Sequence, residues 1–261
     1  MNFIASAQNN QFKNLKALQL KKHRYRQNRF ILEGKRFVFD ALKLGWSCDG
    51  IYFEEQTWEL LDIEAQVQFE KLAQVNVLSM ELFEKISETE HSQGLVGIFM
   101  MPNPPKLEAL NGKFLIYLDR LQDPGNLGTI IRTADAAGVD AVILNKGCVD
   151  VFNSKTLRST AGSILNVKIL LNAEDDSLLP ALKTEGYRII VTDLESNYDY
   201  NENEAYGPKN CLVIGNEGNG VSDEVKALAD VRVKIPIYGK AESLNASIAA
   251  GIMIYKIRTI L

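Results

Sequence analysis

The feature that most restricts the possible folds is a regular alternation in the second half of the chain. From residue 114 onward, compact apolar runs rich in β-branched residues are separated by segments with helical apolar spacing. The runs cover residues 114–118, 141–144, 167–171, 188–192, 211–214 and 231–235. Near-continuous apolar strands that alternate with helices predict an α/β domain with a mostly parallel sheet covered on both faces. Ligands bind beyond the carboxyl ends of such strands, so the informative residues follow each run.

The first part of the chain predicts a separate, small α/β unit. Strand patterns at 29–33, 50–53, 75–78 and 94–101 alternate with helical patterns at 35–44, 57–72 and 80–87. Three of the seven prolines, Pro102, Pro104 and Pro105, precede a polar stretch that runs to Lys113. Such a stretch is typical of a linker. We therefore predict two domains, residues 1–105 and 106–261.

Composition excludes several classes of protein. The 46% hydrophobic and 24% charged residues are those of a soluble globular protein. No apolar run approaches the ~18 residues of a membrane span, and the first ten residues lack a signal-peptide pattern, so we expect a cytoplasmic protein without a membrane partner. The three cysteines are widely separated and outside any CxxC spacing, which argues against a disulfide framework or a metal site and favours buried, inert thiols. Both histidines lie within the first 91 residues, which excludes a histidine base in the second domain.

The net charge of −4 conceals a strongly basic segment. Between Lys13 and Arg36 the chain has nine cations and one acidic residue, Glu33, a local balance of +8. A concentrated cationic segment can hold several RNA phosphates while the rest of the chain stays acidic. The candidate RNA contacts are Lys21, Lys22, Arg24, Arg26, Arg29 and Arg36.

The same basic segment also fits a simpler interpretation. It could be the solvated face of an amphipathic helix whose buried side is formed by Leu15, Leu18 and Leu20. Tyr25 and Phe30 could stack on bases or anchor the core. Between the two interpretations, the charge pattern favours RNA contact.

Three segments that follow predicted strands carry the chemistry. The first contains Asp123-Pro124-Gly125-Asn126, a tight turn in which Asn126 is a good N-cap for the following helix. Arg132 lies away from the apolar stripe of that helix. It is either an ordinary surface arginine or a group that holds a phosphate in the adjacent cleft.

The second segment runs from Gly215 to Val221, with Ser222 as the expected cap of the next helix. Its three glycines let backbone N–H groups approach a ligand closely. It lacks the Gly-Lys-Ser/Thr of a P-loop and the glycine order of a dinucleotide site. Glu217, its only charge, disfavours a phosphate and so indicates a ligand other than a simple nucleotide.

The third segment follows the strand pattern that ends at Ile235 and contains Glu242-Ser243-Leu244-Asn245 ahead of a C-terminal apolar helix. Ser243 and Asn245 are plausible helix caps, which is the purely structural interpretation. They also place hydroxyl, amide and backbone donors at one point.

Together these segments resemble the three motifs of the SpoU (TrmH) family of RNA ribose 2′-O-methyltransferases, in the SPOUT superfamily. The resemblance covers residues 118–144, 212–221 and 235–254, and a further match at Arg158-Ser159-Thr160-Ala161-Gly162 lies between the first two. The N-terminal part, from Lys13 through Glu33-Gly34 to Ser92-Gln93-Gly94, is more loosely similar to the substrate-binding domain often placed ahead of this catalytic domain.

The resemblance implies a parallel α/β domain whose C-terminal chain is threaded into a trefoil knot, an exception to the general rule against knots. It also implies S-adenosylmethionine as cofactor and a homodimer with active sites near the interface. The implied catalytic residues are Asn126, Arg132, Glu217, Ser243 and Asn245. The implied cofactor contacts are Thr192, Gly215, Ile235, Leu244 and Asn245, and Arg158 joins the candidate RNA contacts.

We therefore expect methyl transfer from S-adenosylmethionine to a ribose 2′-hydroxyl of structured RNA, with ribosomal RNA favoured over transfer RNA. Arg132 is expected to bind the substrate phosphate and to stabilise the developing alkoxide. No residue is assigned as the acceptor of the hydroxyl proton, because a guanidinium normally stays charged. The alternatives are methylation of transfer RNA or of a base nitrogen on the same scaffold, a non-enzymatic RNA-binding protein, and a nucleotide-binding α/β enzyme.

Overall fold

The computed structural model describes residues 1–105, 110 and 112–261. The chain forms two compact units: Met1–Asn103 with Phe152–Leu157, and Pro104–Val151 with Arg158–Leu261. Residues 106–109 and 111 of the predicted linker lie outside the described residues. The domain boundary near residue 106 therefore stays a prediction.

The N-terminal unit contains a five-stranded sheet in the order β1-β4-β3-β5-β2. Strands β1, β4 and β3 are parallel, and β5 is antiparallel to both of its neighbours. The strands are β1 (Asn2–Ile4), β2 (Arg29–Glu33), β3 (Cys48–Glu54), β4 (Val75–Leu78) and β5 (Leu95–Met100). The helices are α1 (Asn10–Ala17), α2 (Lys21–Gln27), α3 (Lys35–Lys43), α4 (Glu55–Glu59), α5 (Ile63–Leu72) and α6 (Met80–Glu84).

One part of the core of this unit is aromatic and includes a segment distant in sequence. Phe30 on β2 is fully buried, and its ring centroid lies 4.7 Å from that of Phe152 and 6.3 Å from that of Phe99. Phe30 is thus a core residue rather than a base-stacking group. Tyr25 is 38% exposed, so stacking of Tyr25 on a base stays a prediction. Burial of these aromatic side chains contributes to the stability of the unit, together with the aliphatic side chains of its core.

Two expectations for the N-terminal unit are wrong. The helix expected over 57–72 is divided into α4 and α5, because the Asp62 side chain accepts a hydrogen bond from the Ala65 N–H (2.7 Å) and starts a new helix. Leu20, expected on the buried side of one helix, is 61% exposed, since α1 ends at Ala17 and Leu20 becomes the N-cap of α2. The apolar spacing of one helix does not predict which residues are buried once the chain leaves that helix and begins another.

The C-terminal unit contains a seven-stranded sheet in the order β10-β12-β9-β11-β6-β7-β8, with every pair parallel. The strands are β6 (Phe114–Leu118), β7 (Ala141–Asn145), β8 (Lys168–Ala173), β9 (Arg188–Thr192), β10 (Tyr198–Asp199), β11 (Asn210–Ile214) and β12 (Val231–Lys234). The helices are α7 (Pro124–Ala136), α9 (Asp175–Thr184), α10 (Asp223–Ala227) and α11 (Ala246–Arg258). The residues of α8 (Ser154–Ser159) up to Leu157 belong to the N-terminal unit, and the last two belong to this one. The parallel α/β fold is confirmed, and the trefoil knot stays a prediction that this fold implies.

The position of the site follows from the strand order. Successive strands run from β6 to β7 and β8 on one side, whereas β11 and β9 lie on the other side of β6. β6 and β11 are adjacent and entirely buried, with Leu118 opposite Ile214 at their carboxyl ends. A ligand crevice is expected where the direction of strand order reverses. The turns after β6 and β11 therefore meet at the expected crevice.

Within the described part of the chain, no helix combines the length and apolarity needed to cross a bilayer.

Candidate active site

The turn after β6 is organised differently from the prediction. Helix α7 begins at Pro124, and the side chain of Asp123 caps it by accepting a hydrogen bond from the Asn126 N–H (2.8 Å). Proline suits the first helical position because its ring fixes a helical φ and its missing N–H is not needed there. Asn126 was expected as the N-cap, which is wrong. Its buried side-chain amide is consequently available for contacts outside the helix.

The carboxylate of Glu217 binds this turn from the segment after β11. Its Oε1 accepts hydrogen bonds from the Asp123 N–H (2.9 Å) and the Asn126 Nδ2 (3.0 Å). Its Oε2 accepts from the Gln122 N–H (3.1 Å). Hydrogen bonds to a charged acceptor are stronger than neutral ones, so Glu217 fixes the turn and the orientation of the Asn126 amide together.

Asn245 completes a chain of side chains that joins the three predicted segments. Its Oδ1 caps α11 by accepting from the Ser247 N–H (2.9 Å) and the Ile248 N–H (3.3 Å). Its Nδ2 donates to the Asn126 Oδ1 (2.9 Å). The Asn126 amide thus donates to Glu217 and accepts from Asn245. We call Glu217, Asn126 and Asn245 the amide relay.

The hydrogen bonds around Glu217 determine its charge state. Burial acts to raise the pKa of the carboxyl, but hydrogen bonds from the Asn126 side chain and from the backbone of Asp123 and Gln122 outweigh it. The pKa of Glu217 is therefore lowered below its ordinary value. At neutral pH this carboxylate is ionised and acts as an acceptor.

The lowered pKa of Glu217 predicts a pH dependence of stability. A carboxyl whose pKa is lower in the folded state stabilises the fold above its unfolded pKa, and this contribution disappears as pH falls through the folded pKa. We expect Glu217→Gln to lower the melting temperature at neutral pH, and the difference from wild type to shrink below pH of about 4.3, the ordinary glutamate value. Melting curves from neutral to acidic pH measure it. The exposed Glu59→Gln is the control, and a difference that grows on acidification would contradict the expectation.

The segment from Gly215 to Val221 is closed tightly on itself. The Asn216 N–H donates to the Gly220 carbonyl and the Gly220 N–H donates to the Asn216 carbonyl, both at 2.9 Å. A Cβ at Gly215 would lie 2.2 Å from the carbonyl carbon of Gly220 and from the Val221 nitrogen. Because the backbone of Gly220 and Val221 occupies the place of a side chain, only glycine fits at position 215. We call residues 215–221 the glycine loop.

A cavity of about 390 Å³ lies beside the glycine loop, at the carboxyl ends of β9, β11 and β12. Four of the five predicted cofactor contacts line it, namely Thr192, Gly215, Ile235 and Leu244, whereas Asn245 is not among the lining residues. Ser243 and Glu217 line it as well, which places two predicted catalytic residues at its wall. Its volume lies within the range of small-molecule and cofactor sites.

The walls of the cavity fit S-adenosylmethionine. One part of the lining is aliphatic and suits an adenine ring: Ile214, Val221, Val233, Ile235, Ile237 and Leu244. Backbone of the glycine loop and the polar side chains of Thr192, Glu217 and Ser243 offer partners for ribose hydroxyls and for the amino-acid end. The described residues contain no group of three or more His, Cys, Asp or Glu side chains arranged to hold a metal ion.

Sequence reasoning missed a charged group at the cavity. Asp193 directly follows β9, is buried, and lines the cavity with Glu195 and Lys226. Its Oδ2 lies 3.5 Å from the Lys226 Nζ and 3.6 Å from an Arg232 guanidinium nitrogen. Asp193 could have been identified from the rule that ligands bind beyond the carboxyl ends of parallel strands. That rule was applied to the segments after β6, β11 and β12, and it applies equally to the segment after β9.

Arg132 stands apart from the amide relay. It lies six residues beyond Asn126 on α7, is exposed, and is not among the residues that line the cavity. Among the described residues no hydrogen bond or ion pair holds its guanidinium. Its placement leaves the guanidinium accessible to a phosphate, and the predicted catalytic role stays a prediction.

The basic segment divides into exposed and engaged cations. Lys21, Lys22 and Arg26 on α2 are exposed. Arg24 is 5% exposed, and its guanidinium donates to the carbonyls of Leu18 (2.9 Å) and Gln19 (2.7 Å). Arg24 therefore stabilises the turn between α1 and α2, and this placement corrects the expectation that it contacts RNA.

The other candidate cations keep exposed surface. Arg29 pairs with Asp49, and Arg36 lies 3.6 Å from the Asp40 carboxylate while 92% of its side chain is exposed. Arg158 is exposed on α8. Surface ion pairs of this kind are weak and leave an arginine available to a phosphate.

Cys211 matches the expectation of a buried thiol, whereas Cys48 and Cys148 are only half-buried. Cys211 is fully buried, and burial raises the pKa of its thiol. Burial also raises the pKa of Cys48 and of Cys148 to about 11. A thiol with a raised pKa is a poor nucleophile at neutral pH.

Comparison with known proteins agrees with the geometry. Residues 113–255 match the model of the SpoU rRNA Methylase family, and residues 9–97 match the MRM3-like substrate binding domain. The chain is 37% identical to the 23S rRNA (guanosine(2553)-2'-O)-methyltransferase RlmP of Bacillus subtilis (strain 168), over 99% of this chain and 100% of that protein.

Solved structures show the same fold. The AdoMet-bound rRNA methyltransferase from Sinorhizobium meliloti superimposes with a TM-score of 0.85 at 33% identity and covers 100% of this chain and 98% of its own. The SpoU methyltransferase AviRb from Streptomyces viridochromogenes, in complex with AdoMet, gives 0.84 at 26% identity and covers 97% and 98% of the two chains. The motif spacing, the parallel sheet and the match over 113–255 lead to one conclusion: the chain belongs to the SpoU rRNA Methylase family.

Proposed function

We propose that this chain transfers a methyl group from S-adenosylmethionine to a ribose 2′-hydroxyl of ribosomal RNA. The observation that carries the proposal is the amide relay, which brings three distant segments together at the carboxyl edge of the sheet, with Glu217 also in the cavity wall. The activity named for the Bacillus subtilis relative and the AdoMet bound to the Sinorhizobium meliloti structure support it.

The protein contributes alignment to this reaction. S-adenosylmethionine supplies an activated methyl carbon, and the ribose oxygen must approach it in line. We assign the holding of the reacting groups in that geometry to Ser243, which lines the cavity, and to the hydrogen-bonded amides of Asn126 and Asn245. Alignment of two reactants contributes several kcal/mol to a rate.

Glu217 is a positioning group rather than the proton acceptor. Its two oxygens already accept three hydrogen bonds, and its pKa is lowered. A carboxylate in this state is a weak base for a sugar hydroxyl. We assign to Arg132 the binding of the substrate phosphate and stabilisation of the developing alkoxide, since its guanidinium is exposed beyond the relay.

Methylation of unmodified RNA tests the proposal. Purified protein is incubated with labelled S-adenosylmethionine and either ribosomal or transfer RNA from a strain that lacks this gene, and the nucleosides are resolved by mass spectrometry. We expect a 2′-O-methyl nucleoside from ribosomal RNA. A methylated base, label in transfer RNA alone, or no transfer to either RNA would overturn the proposal.

We further propose that α2 holds RNA phosphates through Lys21, Lys22 and Arg26. Two of these cations lie in the first turn of the helix, which has no acidic residue there. Cations at a helix N-terminus are unfavourable for the helix dipole, so helix stability does not explain them. Phosphate binding by an exposed cationic face does.

The salt dependence of RNA affinity measures this contribution. For the triple variant Lys21→Ala, Lys22→Ala, Arg26→Ala we expect weaker RNA binding and a log K against log salt slope smaller by about 2 to 3. The control replaces Lys43, Lys71 and Lys85, so the net charge changes equally. An equal decrease of this slope in the control would show that the net charge of the protein, rather than the three cations of α2, determines the salt dependence of RNA binding.

We also propose that the chain forms a homodimer through α11. Ile248 and Tyr255 are 55% and 52% exposed, and with the half-buried Ile252 they form an apolar stripe along one side of the helix. The stripe begins three residues after Asn245, so a second copy placed on it would lie beside the site. An exposed apolar stripe continuous with a site is typical of a self-association surface.

Light scattering coupled to size exclusion measures the assembly. We expect wild type to elute as a dimer and Ile248→Glu as a monomer, because a charge within an apolar interface is strongly unfavourable. Leu60→Glu, at an 87% exposed leucine of the N-terminal unit, serves as the control and is expected to stay dimeric. A monomeric wild type would refute the dimer, and a dimeric Ile248→Glu would place the interface elsewhere.

A further inference from the structure

Asp119 is a fully buried carboxylate that the mechanism above does not use. It is the first residue after β6, at the base of the crevice between β6 and β11. Isolated buried charges are costly, and replacing a paired one with apolar residues is often neutral for stability. Its contacts are therefore more informative than its charge.

Both ends of the glycine loop are attached to Asp119. The Asp119 N–H donates to the carbonyl of Ile214, the residue before the loop (2.9 Å). The Asp119 Oδ2 accepts from the N–H of Ser222, the residue after the loop (2.7 Å). One residue thus closes the loop, with its backbone at the start and its side chain at the end.

The carboxylate of Asp119 is itself held in place from β7. Its Oδ1 accepts from the Asn145 Nδ2 (2.7 Å) and lies 3.2 Å from the Arg120 Nε. Asn145 also accepts from the Arg120 N–H (2.8 Å) and donates to the Asp175 carboxylate (3.1 Å). The orientation of Asp119 is consequently fixed by β7 and by the α9 terminus, independently of the loop.

We infer that Asp119 is a positioning residue that keeps the glycine loop closed and thereby sets both the wall of the cofactor cavity and the reach of Glu217. A loop with three glycines has many accessible conformations when open, so fixing its two ends lowers the entropy lost when a cofactor binds. This inference rests on the proposed binding of S-adenosylmethionine in the cavity.

Asp119→Asn in the full-length protein tests the inference. Asp119 accepts one hydrogen bond on each carboxylate oxygen, from the Ser222 N–H and from the Asn145 side chain. Asparagine has only one side-chain oxygen, so in the variant one of these two donors faces an NH2 group. We expect S-adenosylmethionine affinity, measured by calorimetry without RNA, to fall by about tenfold to a hundredfold, the effect of one hydrogen bond to a charged group. In turnover assays the KM for S-adenosylmethionine rises while the KM for RNA stays unchanged.

Asn210→Ala is the control for a purely structural effect. Asn210 is equally buried at the opposite, amino end of β11, where its amide bonds the N–H and carbonyl of Gly207 (both 2.8 Å). We expect it to lower the melting temperature but to change the affinity by less than about twofold, since distant sites act independently. An equal loss of affinity in Asn210→Ala would overturn the inference.

A second pair of variants removes the same contact from the loop side. Ser222 has φ −64°, which proline adopts, and its hydroxyl makes no helix-cap bond. Ser222→Pro deletes the N–H that Asp119 accepts, whereas Ser222→Ala keeps it. We expect weakened S-adenosylmethionine binding in the proline variant and wild-type affinity in the alanine variant, and this pair decides the question if Asp119→Asn does not fold.

The two possible failures are distinguishable. If wild type itself does not bind S-adenosylmethionine, the proposed function fails. If wild type binds it and both Asp119→Asn and Ser222→Pro bind it equally well, the positioning role of Asp119 fails.

Discussion

Replacement of Arg132 by alanine is expected to reduce methyl transfer by about a hundredfold or more while the affinity for S-adenosylmethionine stays that of wild type. Loss of one group that stabilises developing charge typically has this effect on kcat. Cofactor binding is preserved because Arg132 is not part of the cavity wall. Single-turnover methylation and calorimetry with S-adenosylmethionine measure the two quantities separately.

Two further variants make the Arg132 result specific. Arg132→Lys keeps the charge but loses the planar fork that binds a phosphate through two bonds, so we expect only partial activity. Lys209→Ala removes a cation that precedes β11, at the amino edge of the sheet, and is expected to behave as wild type. Wild-type turnover by Arg132→Ala would contradict the assigned role.

Replacement of Asn245 by aspartate is expected to separate the amide relay from the helix cap. Aspartate keeps an oxygen that caps α11, so the contribution of the helix cap to stability is retained. It loses the Nδ2 donor to Asn126. The Asn126 amide must then turn its nitrogen toward position 245, which leaves its oxygen facing the ionised Glu217. We expect a loss of methyl transfer of about tenfold to a hundredfold, the cost of an unpaired group at a charged partner.

Asn245→Ala is the matched comparison. It loses the relay and the helix cap together, so activity falls as in the aspartate variant and stability falls by about 1 kcal/mol as well. Thermal melting and methyl-transfer assays on the two variants provide the comparison. If Asn245→Asp methylates RNA at the wild-type rate, the relay has no part in catalysis.

Much of the C-terminal unit could be predicted from sequence because its central strands β6, β7, β9 and β11 are short, apolar and largely buried. The pattern at 114–118 and 188–192 matches β6 and β9 residue for residue. β10 was missed because its two residues, Tyr198 and Asp199, are too few for any period. β1 was missed for a similar reason, since only Ile4 of its three residues is buried.

Within the site, the local spacing identified the segments but not the bonds between them. Asn126 was expected as a helix cap, because Asn and Asp are equally good caps and only the position of Pro124 distinguishes them. The contacts of Glu217 with Asn126 and of Asn126 with Asn245 join residues 91 and 119 positions apart. Apolar spacing along the chain predicts local helices and strands and cannot predict contacts between residues this far apart. The roles assigned to these residues stay predictions.

The burial of Phe152 against Phe30 also bears on how the chain is made. Phe152 and the residues up to Leu157 belong to the N-terminal unit, yet they are encoded after β6 and β7. A nascent chain that has released only its first hundred residues from the ribosome still leaves Phe30 without this partner ring. Domains generally fold as units during synthesis, in order from the N-terminus. Here the first unit matures only after two strands of the second have been translated, so its aromatic surface stays open to chaperones during that interval.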